Sequence, residues 1–189
     1  MDDALHHATE SVRRFDEADA LGLARVDARR QLWTDQTEKT IVAAFRELSA
    51  AAACERNLLT WPPHGDEHLR AAQLSFGPAH TGILRRFENG VVAGIENGAG
   101  LVMSQAISGR VAVVYWPFKS RIDGQVLASA DPYVVGTFEP ECVTREFVLE
   151  HAAKFLTWAT SYSFRTMTTV ERELIGFPRP RMEPEEGRR

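Results

Sequence analysis

Between Ala4 and Leu59 the chain contains no proline and one glycine, Gly22, while alanine, leucine, arginine and glutamate recur throughout. So long a stretch of good helix formers without a breaker leaves little choice but helix. The spacing predicts an αα-hairpin, with helices over 3–31 and 35–58; one long bent helix is the alternative. The division is expected near Trp33-Thr34-Asp35, because Asp35 with Glu38 three residues on has the form of a capping box. In the second helix Ile41, Phe45, Leu48 and Ala52 recur at helical spacing and make one apolar stripe. The first helix has a sparser stripe of Leu5, Val12, Phe15, Leu23 and Val26, which suits a helix that packs from outside or meets a partner.

Trp61-Pro62-Pro63-His64-Gly65 ends the helical region, since proline bars the αR conformation from the residue before it. A short helix is expected at 66–72, an extended segment at 73–76 and a turn at Gly77-Pro78; residues 79–87 are ambiguous. From Val91 to Phe118 the pattern predicts three strands joined by tight turns at Asn97-Gly98 and Ser108-Gly109, where glycine supplies positive φ. In the third strand Val111, Val113 and Tyr115 alternate with Ala112, Val114 and Trp116, so a central strand covered on both faces is expected. Residues 119–131 read as a long connection and Tyr133–Phe138 as another strand, stopped by Pro140. Thr144 is a suitable N-cap for a helix from Arg145 to about Phe164. Its face of Val148, His151, Ala152, Phe155, Ala159 and Tyr162 is expected to cover the sheet.

The fold class that follows is α+β: a helical start (1–60), a central antiparallel meander of about 4–5 strands (73–139) and a closing helix (144–165). The length of 189 residues suits a single domain, placed at 1–175, with the proline- and charge-rich segment 176–189 as a disordered tail.

Charge narrows the function classes. The net charge of -4 is spread along the chain, and no segment is basic enough to serve as a platform for duplex nucleic acid. No apolar run approaches the roughly 20 residues that span a bilayer, and the acidic, polar start has neither signal- nor transit-peptide character. Cys54 and Cys142 lie far apart and in no metal-ligand spacing. A soluble, cytoplasmic protein without membrane association, metal or cofactor is expected.

Candidate chemistry is sparse. His64-Gly-Asp-Glu-His68 has an i, i+4 histidine pair, but Pro62, Pro63 and Gly65 put the first histidine in a loop, and no third ligand is spaced to help. His6 and His7 sit at the terminus and receive no role. His80 has no adjacent nucleophile or carboxylate, and His151 lies on the apolar face of the closing helix, where a core role is expected. The glycines at 94, 98 and 100 lie between strands and not before a helix, so they do not form a phosphate loop. Ser104 and Ser108 lack a nucleophile elbow, and Cys142 follows Glu139-Pro-Glu141, whose carboxylates disfavour a thiolate.

The strongest cluster is Lys119-Ser120-Arg121 at the end of a central strand, in a chain with three lysines against nineteen arginines. With Arg85, Trp116 and His80 it forms a candidate site for a small anionic ligand, carboxylate or phosphate. Two readings follow. One is a non-catalytic accessory or regulatory protein that binds a protein partner, or a second copy, through Val12, Phe15, Leu23 and Val26. The other is a ligand-binding protein or enzyme with its pocket at Lys119 and Arg121.

Overall fold

The computed structural model describes residues 2–52, 58–65, 69–88, 90–122, 125–129 and 131–163. Among the described residues the order is a helical start, nine strands and a closing helix, which is the α+β class. Of the two forms expected for the start, one long helix is what forms. Helix α1 (Asp2–Leu32) runs through a π-helical segment (Trp33–Thr37) into α2 (Glu38–Ala51). The expected capping box is absent because no chain break needs capping. Thr37 before α2 is itself helical, with no side-chain cap, and Asp35 accepts a hydrogen bond from Gln31 at 2.9 Å. Glu38 instead accepts from Trp33 Nε1 at 3.2 Å and pairs with Arg70 at 2.8 Å.

The wide turn has a packing consequence. In a regular α-helix, residues spaced by four rotate about 40° at each step. Passing through the π segment, Trp33, Thr37, Ile41 and Phe45 all remain buried against the body.

Helix α2 ends at Ala51, earlier than expected, and Leu58–His64 is a strand, β1. The prolines do not prevent this, because β1 is an edge strand and both fall in the register break between Trp61 and His64. The short helix expected at 66–72 is also replaced: Ala71 and Ala72 begin β2 (Ala71–Phe76), and residues 66–68 lie outside the described residues.

The remaining strands are β3 (Ala79–Phe87), β4 (Gly90–Asn97), β5 (Gly100–Gln105), β6 (Val111–Trp116), β7 (Lys119–Ile122), β8 (Gln125–Ser129) and β9 (Tyr133–Phe138). They form a five-stranded sheet, β1-β2-β5-β6-β9, and a four-stranded sheet, β3-β4-β7-β8, all antiparallel. The pairing registers join the two. Ser75 faces Gly100, and four residues on Ala79 faces Glu96 with no slip; likewise Gly100 faces Trp116 and Glu96 faces Ser120. The architecture is therefore one meander of four long antiparallel strands, 71–87, 90–105, 111–122 and 125–138, with β1 added at one edge. Each long strand is interrupted at one level, at Gly77-Pro78, Gly98-Ala99, Pro117-Phe118 and Asp131-Pro132.

This corrects two expectations. Asn97-Gly98 is a corner and not a reversal: Gly98 uses its positive φ of 85° to bend a strand that continues. The reversal falls between Phe87 and Gly90, which are direct partners, where the sequence carries a second Asn-Gly at 89–90. Residues 119–131 are not a long connection, since Lys119–Ile122 and Gln125–Ser129 pair as antiparallel strands with Ile122 and Gln125 direct partners. The turn expected at Ser108-Gly109 joins β5 and β6 as a hairpin, closed by the Ala106 amide donating to the Arg110 carbonyl and the Gly109 amide to the Ala106 carbonyl, each at 2.8 Å.

Helices α2 and α3 (Arg145–Thr160) lie side by side on one face of the five-stranded sheet, α2 over β1 and β2, α3 over β5 and β6. Thr144 caps α3 as expected, accepting from the Phe147 amide at 3.2 Å. The helix ends at Thr160, earlier than expected; its predicted face from Val148 to Ala159 is buried, as is Tyr162 in the turn beyond. His151 is part of that core: the Tyr115 hydroxyl lies 3.3 Å from its Nδ1 and donates to its carbonyl oxygen at 3.2 Å. Strand β6 is covered on one face only. Val111, Val113 and Tyr115 are buried, whereas Ala112 and Val114 are half-buried and Trp116 is exposed. Both helices went to the same side, which leaves the other side of the sheet without a helix among the described residues. The segment 176–189 lies outside the described residues, and no described helix is long and apolar enough to cross a membrane.

Candidate functional site

Among the described residues, only the root of α1 touches the body. From Ala4 to Arg25 every residue except Glu10 is exposed, an overhang of about 33 Å at 1.5 Å per residue. The root is held firmly. Arg29 donates from Nε and Nη2 to both oxygens of Glu139 at 2.7 Å, and from Nη1 to the Ser108 carbonyl at 3.3 Å. Arg30 reaches the Ile107 carbonyl at 3.3 Å. Gly109 makes the close approach possible: a Cβ there would lie 2.7 Å from Arg29 Cβ and 2.9 Å from the Val26 carbonyl oxygen. Its φ of 76° also favours glycine.

Leu5, Val12, Phe15, Leu23 and Val26 fall within an arc of about 80° of the helix circumference. Arg30 and the buried Trp33 continue the same arc into the body. The face that docks at the root is thus the face that carries the apolar stripe along the overhang. Val12 is 59% exposed, Phe15 71% and Leu23 60%, while Val26, at the root, is half-buried. The opposite face is saturated by its own ion pairs: Arg13 bridges Glu10 and Glu17 at 2.7 and 2.8 Å, and Arg14 joins Glu10 at 3.2 Å. The arginine partners hold the Glu10 carboxylate below its ordinary pKa. The four predicted partner-binding residues therefore share one face, and three of them are exposed.

Of the predicted ligand residues, His80, Trp116, Lys119 and Arg121 lie near the corner of the meander, and Arg85 lies away from it. His80, Ile95 and Arg121 form one cross-strand row, and all three are exposed. Lys119, two residues from Arg121, shares that face and sets its ammonium 5.8 Å from the centroid of the Trp116 ring, within cation–π range. Arg85 pairs through its backbone with Val92, further along β3. Next to this row lies an open groove of about 490 Å³, lined by Leu59, Trp61, Gln73, Ser75, Phe76, Pro78, Asn97 and Gly98. Of His80, Trp116, Lys119 and Arg121 none lines it; Asn97 touches the cluster as the strand partner of Lys119. Trp61, pinned by its Nε1 donating to Ser75 Oγ at 2.7 Å, is a wall residue with no mark in the sequence, since Pro62-Pro63 beside it signals a break and not a strand.

Among the described residues no group of three histidine, cysteine or acidic side chains gathers to hold a metal. His68 and Cys54 lie outside the described residues, and Cys142 is a free, exposed thiol. Comparison with protein-family models, with curated proteins and with solved structures finds no match.

Proposed function

We propose that this protein is a non-catalytic accessory module that binds another protein through the overhanging half of α1. One observation carries the reading: the apolar stripe of Val12, Phe15 and Leu23 stands exposed on a helix rooted by a bidentate ion pair. Scattered apolar residues on a surface need no explanation. A row of them along one face of a projecting helix is the geometry of a helix-in-groove contact. The test is capture from the native host with the intact protein, Phe15→Asp, and Leu21→Asp as control; Leu21 is 64% exposed on the far side of the helix. The reading expects a stoichiometric partner retained by the control and lost with Phe15→Asp.

A second reading, a small anionic ligand at the corner, draws support from Lys119, Arg121 and His80 on one exposed face beside the groove. A thermal-shift screen of carboxylate and phosphate metabolites tests it. Stabilisation that disappears in Lys119→Glu/Arg121→Glu supports this reading, and no shift with any of them removes it.

A further inference from the structure

The charges that border the stripe say what kind of partner it takes. We infer that the occupant of the α1 stripe is a basic amphipathic helix, with lysine or arginine set into its apolar face. The inference rests on the docking reading above and adds the chemistry of the partner. Asp19 lies in the middle of the arc between Val12 and Leu23, and Asp16 lies at its edge. Both are exposed, and neither has an ion-pair partner among the described residues, in contrast to the satisfied charges on the opposite face. Any surface that covers Val12 through Leu23 also takes Asp19 out of water. Desolvating a carboxylate without a counter-charge is costly, so a fitting occupant brings a cation to that point.

The same geometry argues against a second copy of the chain. Paired parallel and in register, two α1 helices set Asp19 against Asp19. Paired antiparallel so that Val12 meets Leu23, they set Asp16 against Asp19. Like charges oppose each other in both arrangements, which disfavours each.

The experiment uses the intact protein and two labelled 21-residue helical peptides with identical leucine faces. One carries two lysines at the centre of that face, the other two glutamates, and binding is read by fluorescence anisotropy at low and high salt. The lysine peptide is expected to bind at least about tenfold more tightly, with the preference shrinking as salt screens it. The Asp16→Lys/Asp19→Lys variant is expected to reverse the preference, and Phe15→Asp to abolish binding of both peptides. Circular dichroism checks that the variants fold. Equal binding of the two peptides overturns the charge inference and leaves the docking reading standing. Binding of neither overturns both. Self-association of the intact protein at micromolar concentration, abolished by Phe15→Asp, assigns the stripe to a second copy and also overturns the inference.

Discussion

Arg29 and Glu139, 110 residues apart, close a bidentate ion pair at 2.7 Å that fastens the root of α1 to the segment between β9 and α3. The Arg29 side chain is only 18% exposed, so its guanidinium is committed to this contact. Arg110 adds a second cation to the same carboxylate at 3.3 Å. With the Arg29 and Arg30 bonds to the Ser108 and Ile107 carbonyls and the unbroken run into α2, the pair sets where the overhang points.

Replacing Arg29 by alanine is expected to loosen the root without unfolding the sheet. The loss is on the order of 1 kcal/mol, as for a partly exposed bidentate pair. Hydrogen exchange is the readout: amides of residues 22–32 should exchange faster while those of β5 and β6 keep their protection. Unchanged exchange in α1 would show that the pair does not anchor it.

Gly109→Ala attacks the same joint from the sheet side. The new Cβ meets Arg29 Cβ at 2.7 Å and the Val26 carbonyl at 2.9 Å, on a backbone with φ of 76°. A destabilisation of about 1–3 kcal/mol is expected in urea unfolding. Stability equal to wild type would mean that α1 does not seat against this turn.

In the core, Tyr115→Phe removes the hydroxyl that donates to the His151 carbonyl, at a cost of about 1 kcal/mol. Phe155→Ala empties a fully buried position beside Tyr115 and Phe76 and should cost about 3–5 kcal/mol. The midpoint difference between the two variants in chemical denaturation checks the ranking.

An acid dependence follows from Glu47, which joins α2 to α3 by accepting from both Nε and Nη2 of Arg145, the former at 2.9 Å. Hydrogen bonding to Arg145 holds the Glu47 carboxylate below its ordinary pKa. A depressed folded-state pKa stabilises above the unfolded value, about 4.3 for glutamate, and the contribution is lost as pH falls through the folded value. The Tm advantage of wild type over Glu47→Gln should therefore be present at neutral pH and close on acidification below pH 4. An advantage that grows on acidification would contradict the pairing.

Much of this fold was legible because local chemistry and tertiary packing agree. The breaker-free start, the Thr144 cap and the buried face of α3 each follow from spacing alone. The strand connections were legible only in part, because Asn-Gly serves both a reversal and a corner, and only pairing partners distinguish them. Asn97-Gly98 reads as a hairpin although the reversal falls between Phe87 and Gly90, and nothing in 119–131 marks the pairing of Ile122 with Gln125. The π-helical segment has no compositional mark; it follows from the need to keep Trp33 and Phe45 on one side. For the site, the stripe on α1 was readable as a pattern. Its exposure was not, since exposure depends on where the body ends, and that depends on Arg29 finding Glu139.

The central claim is that the overhang of α1 is a protein-binding surface with one working face. Its most direct test is site-specific photo-cross-linking in the native host, with the photoreactive residue at position 15 on the stripe or at position 21 on the far side. The account predicts one discrete adduct from position 15 and none from position 21. No adduct from position 15, or the same adducts from both positions, would contradict it.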